Sequence, residues 1–242
     1  MSRSDSGLSL SANGLAVPQG RLRGFAGELV KWFSRQRRSF PWRESGDLYV
    51  LLVAEILLKQ TTAAAAALFL PGFLEAYSAP VHLARARTRR LEKLLQPLGL
   101  SRQRAEHLRA LGIALQQLNG RLEPENLELL PGVGPYTASA VRCFAFGLPV
   151  GVVDTNVTRV LGRAFSIMGS RSEARKSPEF WAMADALVRT RPKQAKEVNW
   201  ALLDLANSVC IPRGPRCASC PVRVQCDYGQ PCGAVLSRVA AA

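Results

Sequence analysis

The chain has 242 residues and a formal net charge of +14, because 32 lysines and arginines outnumber 18 aspartates and glutamates. This length allows one large domain or two small ones, and a hydrophobic content of 48% argues against intrinsic disorder. The chain lacks an apolar run of the roughly 20 residues that span a bilayer, and its first residues lack a signal-peptide core. We therefore expect a cytoplasmic protein without a membrane partner, nucleoid-associated if it is bacterial or archaeal. The basic charge predicts a polyanionic partner, most often nucleic acid.

Helical periodicity runs through most of the chain. Residues 1–20 mix Ser, Gly and Asn without periodicity and are predicted to form a disordered tail. From residue 21 to residue 210, apolar residues recur at three- and four-residue spacing, as in Leu22, Phe25 and Leu29. Prolines divide this pattern at helix-length intervals, and the alternation typical of strands is absent. The sequence therefore predicts an all-α fold of about ten short helices.

Glu55 is the one charged residue in a strongly apolar stretch over residues 48–58. Its helical neighbours include Leu52 and Leu58, so its carboxyl group is either desolvated or at the edge of a pocket. Burial would raise the pKa of this carboxyl group and let it act as a general acid. The alternative is a salt bridge to Lys59 on an exposed strip of the helix.

A Gly-x-Gly turn, Gly132-Val133-Gly134, lies between a helix predicted to end near Leu130 and one predicted to begin near Tyr136. Glycine adopts backbone conformations closed to other residues. Exposed amides at the amino end of a helix can bind a phosphate. The alternative is an ordinary connection between helices, which a bare Gly-x-Gly would favour.

Asp154 directly precedes a predicted amphipathic helix that carries Val157, Val160 and Leu161. Its position is that of a helix N-cap, where an aspartate accepts hydrogen bonds from the first backbone amides. Local sequence by itself predicts this capping role and no more.

Four of the six cysteines form a tight set, with six, two and five residues between successive members: Cys210, Cys217, Cys220 and Cys226. Four thiolates at such spacing suit either a zinc ion or a [4Fe–4S] cluster. Disulfides are disfavoured in a reducing compartment. Arg213 and Arg216 lie between the first two cysteines, so the same loop could reach phosphates.

The hairpin and the cysteine spacing together resemble those of the helix–hairpin–helix DNA glycosylases, the superfamily of endonuclease III and MutY. The resemblance implies a two-lobed all-α fold with a DNA-binding cleft between the lobes, in a monomer that binds double-stranded DNA and flips one nucleotide. It implies a glycosylase domain over 21–230, with the hairpin at about 120–147 in a central lobe. A second lobe would combine the N-terminal helix with about 155–209, an iron–sulfur loop would cover 210–226, and 231–242 would be a tail.

The resemblance also implies roles for three residues. Breaking a C1′–N bond through a cation-like sugar requires a carboxylate, stabilisation of the departing base and a water molecule. Asp154 matches the superfamily's essential aspartate. Glu55 matches a glutamate of adenine and thymine–guanine glycosylases, assigned to protonating the leaving base or positioning water. Tyr136 stands where bifunctional members carry a nucleophilic lysine, and tyrosine cannot form a Schiff base. A monofunctional enzyme that passes an abasic site to a downstream endonuclease is expected.

The target base is predicted from departures from the adenine enzymes. Trp200 stands where those enzymes typically have a base-contacting Gln, and Ala63 where they tend to have Val. The chain also stops 16 residues after Cys226, which would leave no room for their domain that reads oxidised guanine. Excision of thymine or uracil opposite guanine is therefore favoured. Adenine excision opposite normal or oxidised guanine, other damaged bases and a non-catalytic DNA-binding scaffold remain alternatives.

The resemblance extends to residues that would contact DNA. Trp42, in a motif that both groups of enzymes share, is expected to line the base pocket with Ala63 and Trp200. Gln60 and Leu100 match positions that insert into DNA in related enzymes, although each could equally be a plain surface or core residue. The hairpin amides, Arg213, Arg216 and the basic stretch over 85–109 are expected to hold phosphates.

Overall fold

The computed structural model describes residues 8–10, 16–119, 121–168 and 176–230. Its α-helices are α1 (Gln19–Gln36), α2 (Pro41–Glu44), α3 (Leu48–Leu58), α4 (Ala63–Ala76), α5 (Pro80–Ala84), α6 (Thr88–Leu95), α7 (Ser101–Gln117), α8 (Pro135–Phe144), α9 (Thr155–Phe165), α10 (Pro178–Arg189) and α11 (Ala195–Ser208). The all-α prediction is confirmed. None of the described helices has both the length and the apolar character needed to cross a membrane.

Two short strands precede α1. Strand β1 (Leu8–Leu10) pairs antiparallel with β2 (Ala16–Pro18), and Ser9 lies opposite Val17. The predicted disordered tail is wrong for these residues and for the start of α1, because three-residue strands are too short to show an alternating pattern. The rest of the predicted tails, at 1–7, 11–15 and 231–242, lies outside the described residues.

The chain divides into two compact units, one formed by Met1–Arg38 with Gly147–Ala242 and the other by Ser39–Phe146. In the first unit, α1 packs against α10 and α11, and α9 packs against the same two helices. The apolar face of α1 that the sequence pattern indicated, which includes Leu22, Phe25 and Leu29, is completely buried.

Helix α3 is the most deeply buried helix of the second unit. Its residues from Tyr49 to Leu57 are buried with the exception of Val50, and it packs against α2, α4, α7 and α8. A helix that is apolar on all sides gains stability only when other elements surround it. This position places the carboxyl end of α3 beside the elements that carry the glycine turn.

Helices α5 and α7 of the same unit come very close at Gly112. A Cβ atom at this position would lie 2.6 Å from the Cβ atom of Leu83 and 2.8 Å from the carbonyl oxygen of Pro80. Only glycine therefore allows the two backbones to approach this closely.

Replacing Gly112 with Ala should lower the free energy of unfolding by about 1–3 kcal/mol, because the added methyl group overlaps the backbone of α5. Gly72 in α4 is the matched control, since a Cβ atom there meets nothing within 4 Å. Gly72→Ala should leave stability unchanged or raise it by up to about 1 kcal/mol. Urea denaturation of both variants measures the difference, and equal stabilities would contradict the close packing.

Candidate functional site

The glycine turn joins a 3₁₀ helix, Pro124–Leu129, to α8. The predicted helix ends are confirmed, although the preceding helix is 3₁₀ rather than α. Gly132 has φ +78°, in the region that favours glycine, and an added Cβ atom would lie 3.1 Å from His107. The amide of Val133 donates to the carbonyl of Leu130 at 3.0 Å and closes the turn. A phosphate here would use the amides at the start of α8, which make no intrahelical bonds.

Lys59 connects the end of α3 to this turn. Its ammonium group donates a hydrogen bond to the carbonyl oxygen of Gly132 at 2.6 Å. Burial lowers the pKa of Lys59, while the Glu55 carboxylate acts in the opposite direction. Glu55 itself is only 4% exposed. The exposed strip of the alternative prediction is therefore wrong, and Glu55 is a buried carboxyl group one helical turn from the lysine that holds the hairpin.

Three further residues of this unit occupy well-defined positions. Tyr136 is the second residue of α8, which packs against α3, and is partly buried. Ala63 is the first residue of α4, whose N-cap Thr62 accepts from the amide of Ala65 at 3.2 Å. Trp42 is buried and stacks on Phe40, with ring centroids 4.8 Å apart and planes inclined by 4°. Contacts within its own unit therefore hold the Trp42 ring in place.

Gln60 and Leu100 are both exposed, and both have positive φ angles of 52° and 48°. The alternative that either is a core residue is wrong. The left-handed conformation is strained for residues other than glycine, and residues strained in this way concentrate at functional sites. The loops that carry Gln60 and Leu100 therefore need contacts with the surrounding structure to stabilise these backbone conformations.

Asp154 caps α9 in the other unit, as its position in the sequence predicted. Its carboxylate accepts from the amides of Asn156 and Val157 at 2.8 and 2.7 Å, and from the Asn156 side chain at 2.9 Å. These three donors fix the carboxylate group, which remains partly exposed to solvent.

The segment before Asp154 is held by two residues that sequence reasoning missed. The side chain of Asn199, 1% exposed, accepts from the amide of Val152 at 2.9 Å and donates to the carbonyl of Val150 at 2.9 Å. The Asp185 carboxylate accepts from the amide of Gly151 at 2.7 Å. Asn199 lies on α11 beside the partly buried Trp200. A polar residue in the buried stripe of this helix was the available signal.

The four clustered cysteines, which belong to this same unit, line one small cavity together with Arg163 and Tyr228. Among the described residues, no group of three or more His, Cys, Asp or Glu side chains is already arranged to hold a single metal ion. Burial raises the pKa of Cys220 to about 11, and the charges of the other cysteines act in the same direction. Four cysteines that share one desolvated cavity fit the donor set of a [4Fe–4S] cluster, whose iron would offset their negative charge.

The basic residues expected to bind phosphates differ in their exposure to solvent. Arg213 and Arg216 are exposed in the cysteine loop. Arg85, Arg87 and Arg90 are exposed and line one open cavity in the other unit. Arg104, which belongs to the basic stretch predicted to hold phosphates, is only 2% exposed. That prediction is wrong for Arg104, whose guanidinium group is used inside the protein.

Comparisons with known proteins identify the family of the chain. A family model described as "HhH-GPD superfamily base excision DNA repair protein" matches residues 53–183. The thymine-DNA glycosylase of Aeropyrum pernix is 35% identical over 218 residues, which are 88% of this chain and 98% of the relative. The thymine/uracil-DNA glycosylase of Pyrobaculum aerophilum is 36% identical, over 82% of this chain and 88% of the relative. The human adenine DNA glycosylase is 32% identical, and the match covers 85% of this chain but 39% of that enzyme.

Solved structures give the same assignment. A thermostable thymine-DNA glycosylase superposes with a TM-score of 0.80 at 32% identity, over 87% of this chain and 97% of the other. An endonuclease III trapped as a covalent intermediate with DNA gives a TM-score of 0.72 at 26% identity, over 88% and 97%. The chain therefore belongs to the HhH-GPD superfamily of base excision DNA repair proteins.

Proposed function

We propose that the protein is a monofunctional DNA glycosylase that removes thymine or uracil mismatched with guanine. The observation that carries this proposal is the near full-length similarity to thymine-DNA and thymine/uracil-DNA glycosylases. The substrate is double-stranded DNA bound by a monomer, and the product is an abasic site for a downstream endonuclease. Gly132, Val133 and Gly134 supply the turn that grips a phosphate, with Arg213 and Arg216 as further basic contacts.

Asp154 provides the negative charge that the reaction requires. As the C1′–N bond breaks, its electron pair leaves with the base and the sugar becomes cation-like. A carboxylate held in advance by the amides of Asn156 and Val157 stabilises that charge without having to reorganise. Water then bonds to C1′ and loses a proton. Trp42, Ala63 and Trp200 are proposed to shape the pocket that receives the flipped base.

Glu55 is proposed to donate a proton to the departing base or to hold the attacking water. Its burial in α3 supports this role, because a desolvated carboxyl group retains a proton more readily than an exposed one. We expect Glu55→Gln to lower the single-turnover excision rate by about 10²-fold or more, with DNA affinity unchanged. Glu75→Gln, an exposed position on α4 of the same unit, is the matched control. A full excision rate in Glu55→Gln would remove Glu55 from the mechanism.

Tyr136 supports the absence of strand cleavage through a Schiff base, because a phenol cannot form one. Borohydride treatment during turnover should trap no covalent protein–DNA adduct, and DNA strands should break only after alkali. An adduct trapped with the wild-type protein would overturn the monofunctional assignment.

One assay decides the target base. Duplexes that carry T·G, U·G, A·G or A·oxidised-G pairs are incubated with the protein and then cleaved at abasic sites with alkali. We expect cleavage at T and U opposite guanine. Adenine excision is the second candidate, supported by the similarity to adenine DNA glycosylases. Cleavage only at adenine would establish that candidate, and no cleavage with retained DNA binding would indicate a scaffold.

A [4Fe–4S] cluster is proposed as the cofactor, held by Cys210, Cys217, Cys220 and Cys226. Their shared cavity supports this proposal. Base excision transfers no electron, so the cluster is assigned an architectural role in the loop that carries Arg213 and Arg216.

A further inference from the structure

The side chain of Arg104 is among the largest fully buried side chains of the described residues. Its guanidinium group donates to five acceptors within one unit: the carbonyls of Ile56 (3.4 Å), Leu98 (2.6 Å), Gly99 and Lys59, and the hydroxyl of Thr61 (2.5 Å). A guanidinium group is the only side chain that offers five N–H donors in one rigid plane. A charged group at this depth is stable only because its donors are satisfied in this way.

Apart from Ile56, which lies on α3, these acceptors belong to two separate segments of chain. One segment is the loop at 59–61 after α3, and the other is the loop at 98–100 before α7. The Thr61 hydroxyl also donates to the carbonyl of Leu98 at 3.2 Å, so the segments are joined directly as well. Arg104 therefore holds two loops that lie about 40 residues apart in the sequence as one body.

Each loop contains one non-glycine residue in the left-handed conformation, Gln60 in the first and Leu100 in the second. Arg104 binds the carbonyl of the residue directly before each of them, Lys59 and Gly99. The orientation of a peptide carbonyl depends on the dihedral angles that flank it. Fixing these two carbonyls from inside thus maintains the strained conformations that present Gln60 and Leu100 to solvent.

We infer that Arg104 is a positioning residue that holds Gln60 and Leu100 together as a paired wedge for inserting into DNA. This inference rests on the proposed glycosylase function. The wedge fills the gap left by the flipped nucleotide, and its two parts act together because one guanidinium group sets both backbones. Lysine cannot replace arginine here, because its three donors radiate from one nitrogen and do not match acceptors spread across two loops.

Arg104→Lys tests the inference while keeping the positive charge. We expect a 10- to 100-fold lower single-turnover excision rate on a U·G duplex, in the range of about 10²-fold that a misplaced group can cost. Uracil placed opposite an abasic site has no base pair to break, so its excision should fall much less. The matched control is Arg35→Lys, an exposed position on α1 outside the residues expected to bind DNA. It should retain the wild-type rate on both substrates.

Two further measurements separate positioning from general damage to the structure. In a double-mutant cycle, Gln60→Ala and Leu100→Ala should each slow the wild-type protein but add little in the Arg104→Lys background, because the wedge is already displaced. Fluorescence of 2-aminopurine beside the mismatch should rise on binding of wild type and less with Arg104→Lys. If Arg104→Lys does not fold, Thr61→Val removes one acceptor and the bridge to Leu98, and should show the same pattern more weakly.

These measurements distinguish a failure of the wedge inference from a failure of the proposed glycosylase function. A wild-type protein that excises no base but raises 2-aminopurine fluorescence would refute the glycosylase proposal and still test the wedge. If wild type and Arg104→Lys excise uracil at the same rate on each of the two substrates and give the same fluorescence, the inference is overturned. Additive effects in the double-mutant cycle would also overturn it, because the two residues would then act independently of Arg104.

Discussion

Asp154→Asn is expected to abolish base excision while leaving the fold and DNA binding intact. The carboxylate makes its capping bonds to Asn156 and Val157 through one oxygen, Oδ1. Asparagine presents the same oxygen and caps helices as well as aspartate does. The negative charge opposite the cation-like sugar is lost, together with the hydrogen bond that the Asn156 side chain donates to Oδ2. We expect the single-turnover rate to fall by about 10²- to 10⁴-fold, with thermal unfolding and binding to mismatched duplex unchanged.

Asp47 provides a matched control for this substitution. It caps α3 and accepts from the amide of Val50 at 2.9 Å, so Asp47→Asn makes the same chemical change at another helix end. Its excision rate should remain that of wild type. Asp154→Ala separates the two roles further, because losing the cap should cost about 1 kcal/mol of stability in addition to the lost activity. Wild-type activity in Asp154→Asn would show that Asp154 is a capping residue only.

Cys220→Ala should remove the proposed iron–sulfur cluster and destabilise the segment at 210–226. Without the metal, the charges of Cys210 and Cys217 oppose ionisation of the partly buried Cys226 thiol. The loop consists of turns and 3₁₀ helices, and the hydrogen bonds that the side chains of Arg159 and Arg163 donate to it reach its start, at Cys210, Ile211 and Pro212. The free energy of cofactor binding contributes directly to the folding of such a segment. We expect loss of the brown colour and of bound iron, cleavage of the loop by protease, and weaker DNA binding.

The control for this experiment is Cys143→Ala. Cys143 is completely buried in α8, so the substitution removes a thiol of the other unit at a cost of about 1 kcal/mol. It should keep the iron content and the visible absorption of wild type. About four irons with four sulfides per wild-type chain would support a [4Fe–4S] cluster, whereas one zinc per chain would replace it with a zinc site. Equal iron content in wild type and Cys220→Ala would exclude this cysteine as a ligand.

Several features of the site were predictable because they are encoded locally. Asp154 was predicted as an N-cap because capping depends on a residue and the two or three that follow it. The burial of Glu55 followed from its apolar helical neighbours. The structure bears out both. The Gly-x-Gly pair predicted only that the turn can adopt a conformation closed to other residues, and Gly132 adopts one while Gly134, with φ −107°, does not.

Other features could not be predicted because they depend on partners far away in the sequence. Arg104 is one of several arginines in a basic stretch, and nothing in that stretch indicates that its acceptors lie at Ile56 and Lys59. Asn199 is similarly defined by Val150 and Val152, almost 50 residues earlier. Sequence periodicity predicts which face of a helix is buried, but not which polar group a buried side chain will meet.

The sequence by itself determined the helical architecture, the superfamily and the sets of candidate residues, because each depends on the identity and spacing of neighbouring residues. Only the tertiary structure decided how the charge of +14 is distributed. It leaves Arg85, Arg213 and Arg216 on the surface, whereas Arg104 is enclosed between two loops. The physical reason is desolvation: a charged side chain can be buried only where the folded chain brings enough acceptors to it. That condition is met by contacts between distant segments and cannot be read from local sequence.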